Sequence, residues 1–395
     1  MNILFVSTDY PERGQPTTGF PNYLYRVSLS LIQLGHKPMI LASGRCDAHR
    51  VEQGIEIWTV QVSGIGKCKL QSLDYAINAL HKGYILNKII KKVLKEKQID
   101  IIQFTSLQGL AIFYHENVPA VLRLSSYAKT AFATFQTYSP RTVRVMSFIE
   151  RFSAHSCNAI FAPCRINAEI FGFDCGRKVK VIESPFVNDV LEYDNKYIEK
   201  NLKDKKYVLF FGALYVEKGI LVISEILERF LNKNKEYFLV FIGDTWHSDG
   251  EQFVQLLKRK AGRFLNRVLI WNALPHKQLY PIIMHADFVI LPSLMENLSN
   301  ACIEAMYFRR VVIGTDGASF EQLIKHGESG LLCKIGDSED LLEKMQIAVQ
   351  MNEDEKMQMG IKAKQRIALL TPEYVVKQLI QLYKYVIKNK TAKGE

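Results

Sequence analysis

Two carboxylates, Glu296 and Glu304, stand with seven residues between them in the stretch 286–306. The apolar run Phe288–Leu291 ahead of them lacks alternation, as a parallel strand covered on both faces does, and Pro292 ends it. Asn297 and Ser299 are good helix N-caps, and Ala301 to Met306 continues as a helix. Glu296 is therefore expected in a loop at a strand's carboxyl end, and Glu304 about one turn inside the following helix. Between them lie the amides of Leu298, Ser299 and Asn300, where a helix start attracts phosphate. Flanking carboxylates can accept hydrogen bonds from sugar or ribose hydroxyls. The pattern suits a sugar nucleotide, with hydroxyls at both ends and a diphosphate in the middle.

A cation for that diphosphate is available earlier in the chain. Tyr207–Phe211 reads as a strand running into Gly212, and Lys218-Gly219 precedes a helix over Ile220–Phe230. A lysine at a strand's carboxyl end, beside a helix start, can neutralise the charge that builds on a leaving phosphate. Gly243 follows the strand Phe238–Ile242 and fits a tight turn facing the nucleotide. Arg123, before Ser125 and Ser126, reads as a cation facing a ligand crevice or as a buried ion-pair partner, and the second reading is preferred.

These residues need two sheets to hold them. The 395 residues are enough for two domains of ~150 residues each. Candidate strands in the first half are Ile3–Ser7, Pro38–Ala42, Glu56–Val60, Ile99–Phe104, Ala120–Leu124, Ala159–Pro163 and Lys180–Glu183. Helical stretches lie between them, as over Asn22–Leu34, Ala76–Lys97 and Thr142–Ser153. The second half adds strands at Tyr207–Phe211, Tyr237–Ile242, Arg267–Trp271, Phe288–Leu291, Val311–Gly314 and Leu331–Cys333. Such alternation predicts an α/β protein with parallel sheets. The charged segment Tyr193–Lys206 is the expected join, so the domains are drawn as 1–195 and 205–370. A terminal helix over Pro372–Lys388 and a frayed polar tail, Asn389–Glu395, complete the chain.

Composition excludes several classes. Hydrophobic residues at 48% and charged residues at 23% are ordinary for a globular protein. Asn2–Ser7 has no basic leader ahead of it and reads as a strand, and no uncharged apolar run reaches the ~18 residues of a membrane span. Seven cysteines without a C-x-x-C pair point to reduced thiols, no structural zinc and a cytoplasmic location. The net charge is +11, of which about +7 falls in the stretch ending at Lys196. No nucleic-acid-binding signature accompanies it, which leaves an anionic membrane surface or an acidic substrate. The helical stretch Tyr75–Lys97 interleaves Lys82, Lys88, Lys91, Lys92, Lys95 and Lys97 with apolar residues. It reads either as a sheet-covering helix with solvated lysines or as a basic membrane surface.

Glu-x7-Glu, followed by Val311–Gly317 and His326-Gly-Glu-Ser-Gly-Leu-Leu332, resembles the retaining GT-B glycosyltransferases of family 4. The resemblance covers nearly the whole chain, strongly over Tyr207–Cys333. It implies two Rossmann-like domains facing a central cleft, with helix 371–395 packing back on the first. It also implies transfer of a sugar from a UDP- or GDP-sugar to a glycan or lipid-linked glycan acceptor in cell-surface polysaccharide synthesis. No metal is expected, because helix dipoles and basic side chains take that electrostatic role. By the same resemblance Lys218 and Glu296 are catalytic. Gly19, Gly212, Gly243, Leu298, Ser299, Asn300 and Glu304 bind the donor, Glu304 through ribose hydroxyls. Gly19, placed just before the first helix, corresponds to a glycine-rich loop; by itself it also reads as an ordinary turn residue. Two departures stand out: Ala213 replaces an arginine that shares the diphosphate, and no histidine lies near Ser125. A sugar-nucleotide epimerase of the same fold, or an inactive sugar-nucleotide-binding scaffold, are the alternatives.

Overall fold

The computed structural model describes residues 1–10, 19–65, 73–134, 139–188, 190–245 and 250–391. The chain divides into two compact units, Met1–Val187 with Leu370–Glu395, and Asn188–Leu369. The division falls ahead of the segment expected to join them. Asp194 already belongs to the second unit: its amide donates to the Lys277 carbonyl at 2.9 Å, and Gln278 Nε2 donates to its carboxylate at 2.9 Å.

In the first unit the strands are β1 (Asn2–Ser7), β2 (Lys37–Gly44), β3 (Ala48–Glu52), β4 (Ile55–Gln61), β5 (Ile101–Thr105), β6 (Ala120–Arg123), β7 (Ala159–Ala162) and β8 (Val179–Val181). They pair in the order β3-β4-β2-β1-β5-β6-β7-β8. Every pairing is parallel except β3 with β4. β3 was not legible as a strand, because it is an edge strand carrying His49, Arg50 and Glu52 and contributes no buried residue. It folds back through Gln53 and Gly54, both at positive φ (48° and 82°), the pairing that a two-residue hairpin turn requires.

The second unit holds β9 (Lys206–Phe211), β10 (Tyr237–Ile242), β11 (Val268–Trp271), β12 (Phe288–Leu291), β13 (Val311–Asp316) and β14 (Leu331–Lys334). Their order is β11-β10-β9-β12-β13-β14, all parallel. Counted within the unit this is 3-2-1-4-5-6, the doubly wound arrangement, and the order reverses between β9 and β12. Helix Ile220–Lys233 covers one face with Ile220, Ile223, Leu227, Phe230 and Leu231, all buried. β12 is buried on both faces, which accounts for its unbroken Phe-Val-Ile-Leu run.

The last helix, Pro372–Thr391, belongs to the first unit. Val375, Val376, Leu379, Tyr383 and Val386 enter one core with Leu24, Val27 and Leu31 of helix Gly19–Gln33. The helix continues through Asn389 and Lys390, where fraying was expected, because the Lys390 ammonium reaches the carbonyls of Glu116 and Val118 at 3.3 and 3.4 Å. Deeper in, the Tyr383 hydroxyl donates to Gln103 Oε1 at 2.5 Å, tying the chain's end to β5. Tyr383→Phe should therefore destabilise the first unit by about 1–2 kcal/mol, the cost of leaving a buried amide oxygen short of a donor. Urea unfolding followed by circular dichroism reads this as a lowered midpoint; an unchanged midpoint would show that the bond contributes nothing net.

Candidate active site

The loops that leave β9 and β12 meet at the point where the second unit's strand order reverses. After β9, Gly212 and Ala213 lead to a short 3₁₀ turn, Val216–Lys218, then Gly219 and helix Ile220–Lys233. After β12, Pro292 and Ser293 lead to Glu296 and to helix Asn300–Tyr307. The Leu294 amide donates to the Glu217 carbonyl at 2.7 Å, which joins the two loops. Gly219 takes φ of 78°, and a Cβ there would come within 1.9 Å of the Pro292 carbonyl oxygen. Only glycine permits so close a crossing, so Lys218 is held against the β12 loop by the backbone itself.

That crossing brings the two expected catalytic residues together. Lys218 Nζ donates to Glu296 Oε1 at 2.6 Å. The lysine is about a third exposed (31%) and the glutamate less so (13%), so the pair is open to a ligand without being fully solvated. The Ser293 hydroxyl donates to the same Glu296 oxygen at 3.1 Å, and the Ser319 hydroxyl donates to the Glu296 carbonyl at 3.1 Å. Two donors thus hold one carboxylate oxygen, and a third holds the residue's backbone. This pairing was not foreseen: Lys218 and Glu296 were each read as facing a ligand, and they lie 78 residues apart in the chain.

Ser299 is the N-cap of helix Asn300–Tyr307, its hydroxyl accepting from the Cys302 amide at 3.3 Å. Asn297, the other capping candidate, lies outside the helix. The amides of Leu298, Ser299 and Asn300 stand at the helix start, where a helix has no acceptors of its own to offer. Glu304, the fifth helical residue, is buried (6% exposed) and lies 3.6 Å from His276 Nε2. His276 opens helix His276–His285 and stacks on Tyr280, with ring centroids 4.7 Å apart. Sequence reasoning missed His276.

Gly212 and Gly243 are neighbours in space. The Gly212 amide donates to the Ile242 carbonyl at 2.9 Å, and a Cβ on Gly243 would fall 1.7 Å from the Gly212 carbonyl oxygen. The backbones of the β9 and β10 ends are packed as closely as two chains can be. Nothing in this pair contributes charge, and Ala213 beside it supplies none. Among the described residues, the ion pair of Glu296 is with Lys218, and His276 lies within ion-pairing distance of Glu304. No group of three or more histidine, cysteine or acidic side chains is placed to hold a metal ion among the described residues.

In the first unit, Gly19 is the first residue of helix Gly19–Gln33 and not a loop residue ahead of it. The remainder of the expected glycine loop, residues 11–18, lies outside the described residues. Arg123 is buried at the end of β6, but among the described residues it forms no ion pair with a carboxylate. Its guanidinium donates to Ser125 Oγ at 2.9 Å and Ser184 Oγ at 3.0 Å and lies 3.8 Å over the Tyr23 ring. Burial holds its pKa below the ordinary arginine value, and the aromatic face stands in for a carboxylate.

Residues 194–366 match the family of glycosyl transferases group 1. The matched residues include the paired Lys218 and Glu296, Glu304 and the capped helix. The chain is 26% identical over 204 residues to a putative glycosyltransferase, YtcC, of Bacillus subtilis, covering 50% of this chain and 49% of that one. It is 26% identical over 201 residues to the N,N'-diacetylbacillosaminyl-diphospho-undecaprenol alpha-1,3-N-acetylgalactosaminyltransferase of Campylobacter jejuni, covering 45% of this chain and 52% of that one. The chain therefore spans about half the length of these curated relatives. Among solved structures, the sucrose-phosphate synthase of Thermosynechococcus elongatus superposes with a TM-score of 0.80 at 16% identity, covering 98% of this chain and 100% of that one. The fold is that of the GT-B glycosyltransferases, as expected from the sequence.

Proposed function

We propose that this protein is a retaining glycosyltransferase that moves a sugar from a nucleoside diphosphate sugar to a glycan or lipid-linked glycan acceptor. One observation carries the reading: a lysine and a carboxylate paired at 2.6 Å where the strand order reverses, beside a serine-capped helix start. Ligands of open α/β sheets bind at such reversal points.

In this reading the donor's diphosphate lies across the amides of Leu298, Ser299 and Asn300, and Lys218 turns from Glu296 to the phosphate. As the glycosidic bond breaks, negative charge grows on the leaving diphosphate, and the ammonium meets it in place without reorganising solvent. Glu296, released from the lysine but still held by Ser293, accepts the sugar's hydroxyls. Glu304 accepts the ribose hydroxyls, with His276 orienting it. Gly212 and Gly243 keep the floor free of side chains. The donor is a UDP- or GDP-sugar. The named acceptor of the Campylobacter relative, a lipid diphosphate sugar, supports a lipid-linked acceptor here.

Incubation with labelled sugar nucleotides and a cell lipid extract tests the reading. Labelled lipid or glycan with retained anomeric configuration is the expected product. A new free sugar nucleotide would instead identify an epimerase, and binding without turnover a scaffold. Activity is expected to persist in EDTA, since Lys218 and the helix start carry the charge. Loss with chelator and rescue by Mn²⁺ would overturn that assignment.

A further inference from the structure

Helix Pro140–His155 of the first unit has an exposed side of unusual composition. Arg141, Arg144, Phe148, Phe152 and His155 recur at steps of three and four residues and are all exposed, so they line one side. Phe148 and Phe152 are 57% and 51% exposed and stack on each other with centroids 6.0 Å apart. The opposite side gives Met146, Ile149, Ser153 and Ala154 to the interior, so the helix does not need those two rings to pack. Its single carboxylate, Glu150, points inward and accepts the Ala128 amide at 2.7 Å. The outer side of this helix is left with cations and phenyl rings.

A neighbouring helix, Arg165–Cys175, extends the feature. Arg151 donates to the Asp174 carbonyl at 3.2 Å, which draws the end of that helix alongside. Phe173 sits there, 88% exposed. The Lys129 ammonium lies 2.8 Å from the Asp174 carboxylate, and its side chain is 55% exposed. Glu169 is the exposed carboxylate of this second helix. Three phenylalanines held in water beside arginines are costly unless something covers them. The complement of this surface is both apolar and negative, as the headgroup boundary of an anionic bilayer is.

We propose that this face docks on anionic lipid, with Phe148, Phe152 and Phe173 entering the headgroup boundary and Arg141 and Arg144 pairing with lipid phosphates. Helix Asp74–Glu96, the basic stretch noted in the sequence, is the poorer match. Its Leu86, Ile90 and Val93 are buried, and Tyr84 is its one exposed large apolar residue. Lys91 and Lys97 are paired with Glu116 and Glu56 at 3.2 and 2.5 Å. The docking stands on this face alone; that it delivers a lipid-linked acceptor rests on the transfer reading above.

Cosedimentation of the full chain with phosphatidylglycerol-containing and pure phosphatidylcholine vesicles tests it. Wild type should bind the anionic vesicles, and Phe148→Ala with Phe152→Ala and Phe173→Ala should lower binding about tenfold or more. Arg141→Gln with Arg144→Gln should cost roughly fivefold per arginine. Lys92→Gln with Lys95→Gln, the same charge change on the other helix, should cost less than about twofold, since those lysines have no exposed phenyl rings beside them to hold them at the bilayer. Unchanged melting temperatures establish that the variants are folded. Equal loss from the two charge pairs, or wild-type binding by the phenylalanine variant, would overturn the proposal. So would a wild-type dimer that the phenylalanine variant abolishes while vesicle binding persists, which would assign the face to a second copy. Donor binding measured on the same samples separates the two readings: its absence from wild type refutes the transfer reading and leaves the vesicle result standing.

Discussion

Lys218→Ala is expected to lower turnover about 10²-fold or more, the loss typical of one preorganised electrostatic group. The expectation is sharpened by what surrounds the lysine. Ala213 supplies no cation beside it, and among the described residues Lys218 alone forms an ion pair with Glu296. The substitution also strands the Glu296 carboxylate, which would then repel a diphosphate. Turnover and donor affinity should therefore be measured separately, by initial rates at saturating donor and by calorimetric titration. Because Lys218 is 31% exposed, the fold should tolerate its loss, and the melting temperature should move little. Activity within a few-fold of wild type would end the assignment. Ala213→Arg is the converse probe and is expected to tighten donor binding by adding a second cation.

Glu296→Ala and Glu304→Ala should fail in different ways. Glu304 is buried beside His276 at the far end of the capped helix start. If Glu304 holds the ribose as proposed, its loss should weaken donor binding about 10- to 100-fold, as expected for charged hydrogen bonds worth ~1.5–3 kcal/mol. Turnover at saturating donor should change less. Glu296→Ala should act mainly on turnover, since it misplaces the sugar ring and releases Lys218 from its resting partner. The double variant Lys218→Ala with Glu296→Ala adds a further check. If the two residues act as a unit, its loss should fall well short of the product of the single losses. Multiplicative effects would mean that the 2.6 Å contact is incidental to catalysis. Identical binding and turnover defects in the two single variants would remove the division between sugar and ribose.

Much of this was readable without coordinates because parallel sheets leave a strong mark. All six strands of the second unit and seven of the eight in the first were legible, most of them as short apolar runs because burial on both faces suppresses polar residues, whereas β4 alternates and β8 is largely exposed. β3 escaped because an edge strand paired on one side needs no such run, and its residues are exposed or partly so. Helix starts were legible where a cap stood before an apolar stretch, as at Ser299. The boundary between the units was less so, because the charged segment chosen as linker is itself fastened to the second unit through Asp194.

The residue types around Glu296, Glu304 and Lys218 determined by themselves what chemistry the site could attempt: carboxylates for hydroxyls, a cation and helix amides for phosphate. Their spacing along the chain could not say which of them touch. Strand order decided that. Placing β9 beside β12, across an intervening 75 or more residues, brings Lys218 onto Glu296, and a glycine crossing at Pro292 locks it there. The same holds for His276 on Glu304, for Tyr383 on Gln103, and for Arg123, which among the described residues meets two serine hydroxyls and the Tyr23 ring. Local pattern reports which face of an element is buried, because burial acts on each residue separately. Partnership between distant side chains depends on how the sheet is wound, and that is settled only when the whole core assembles.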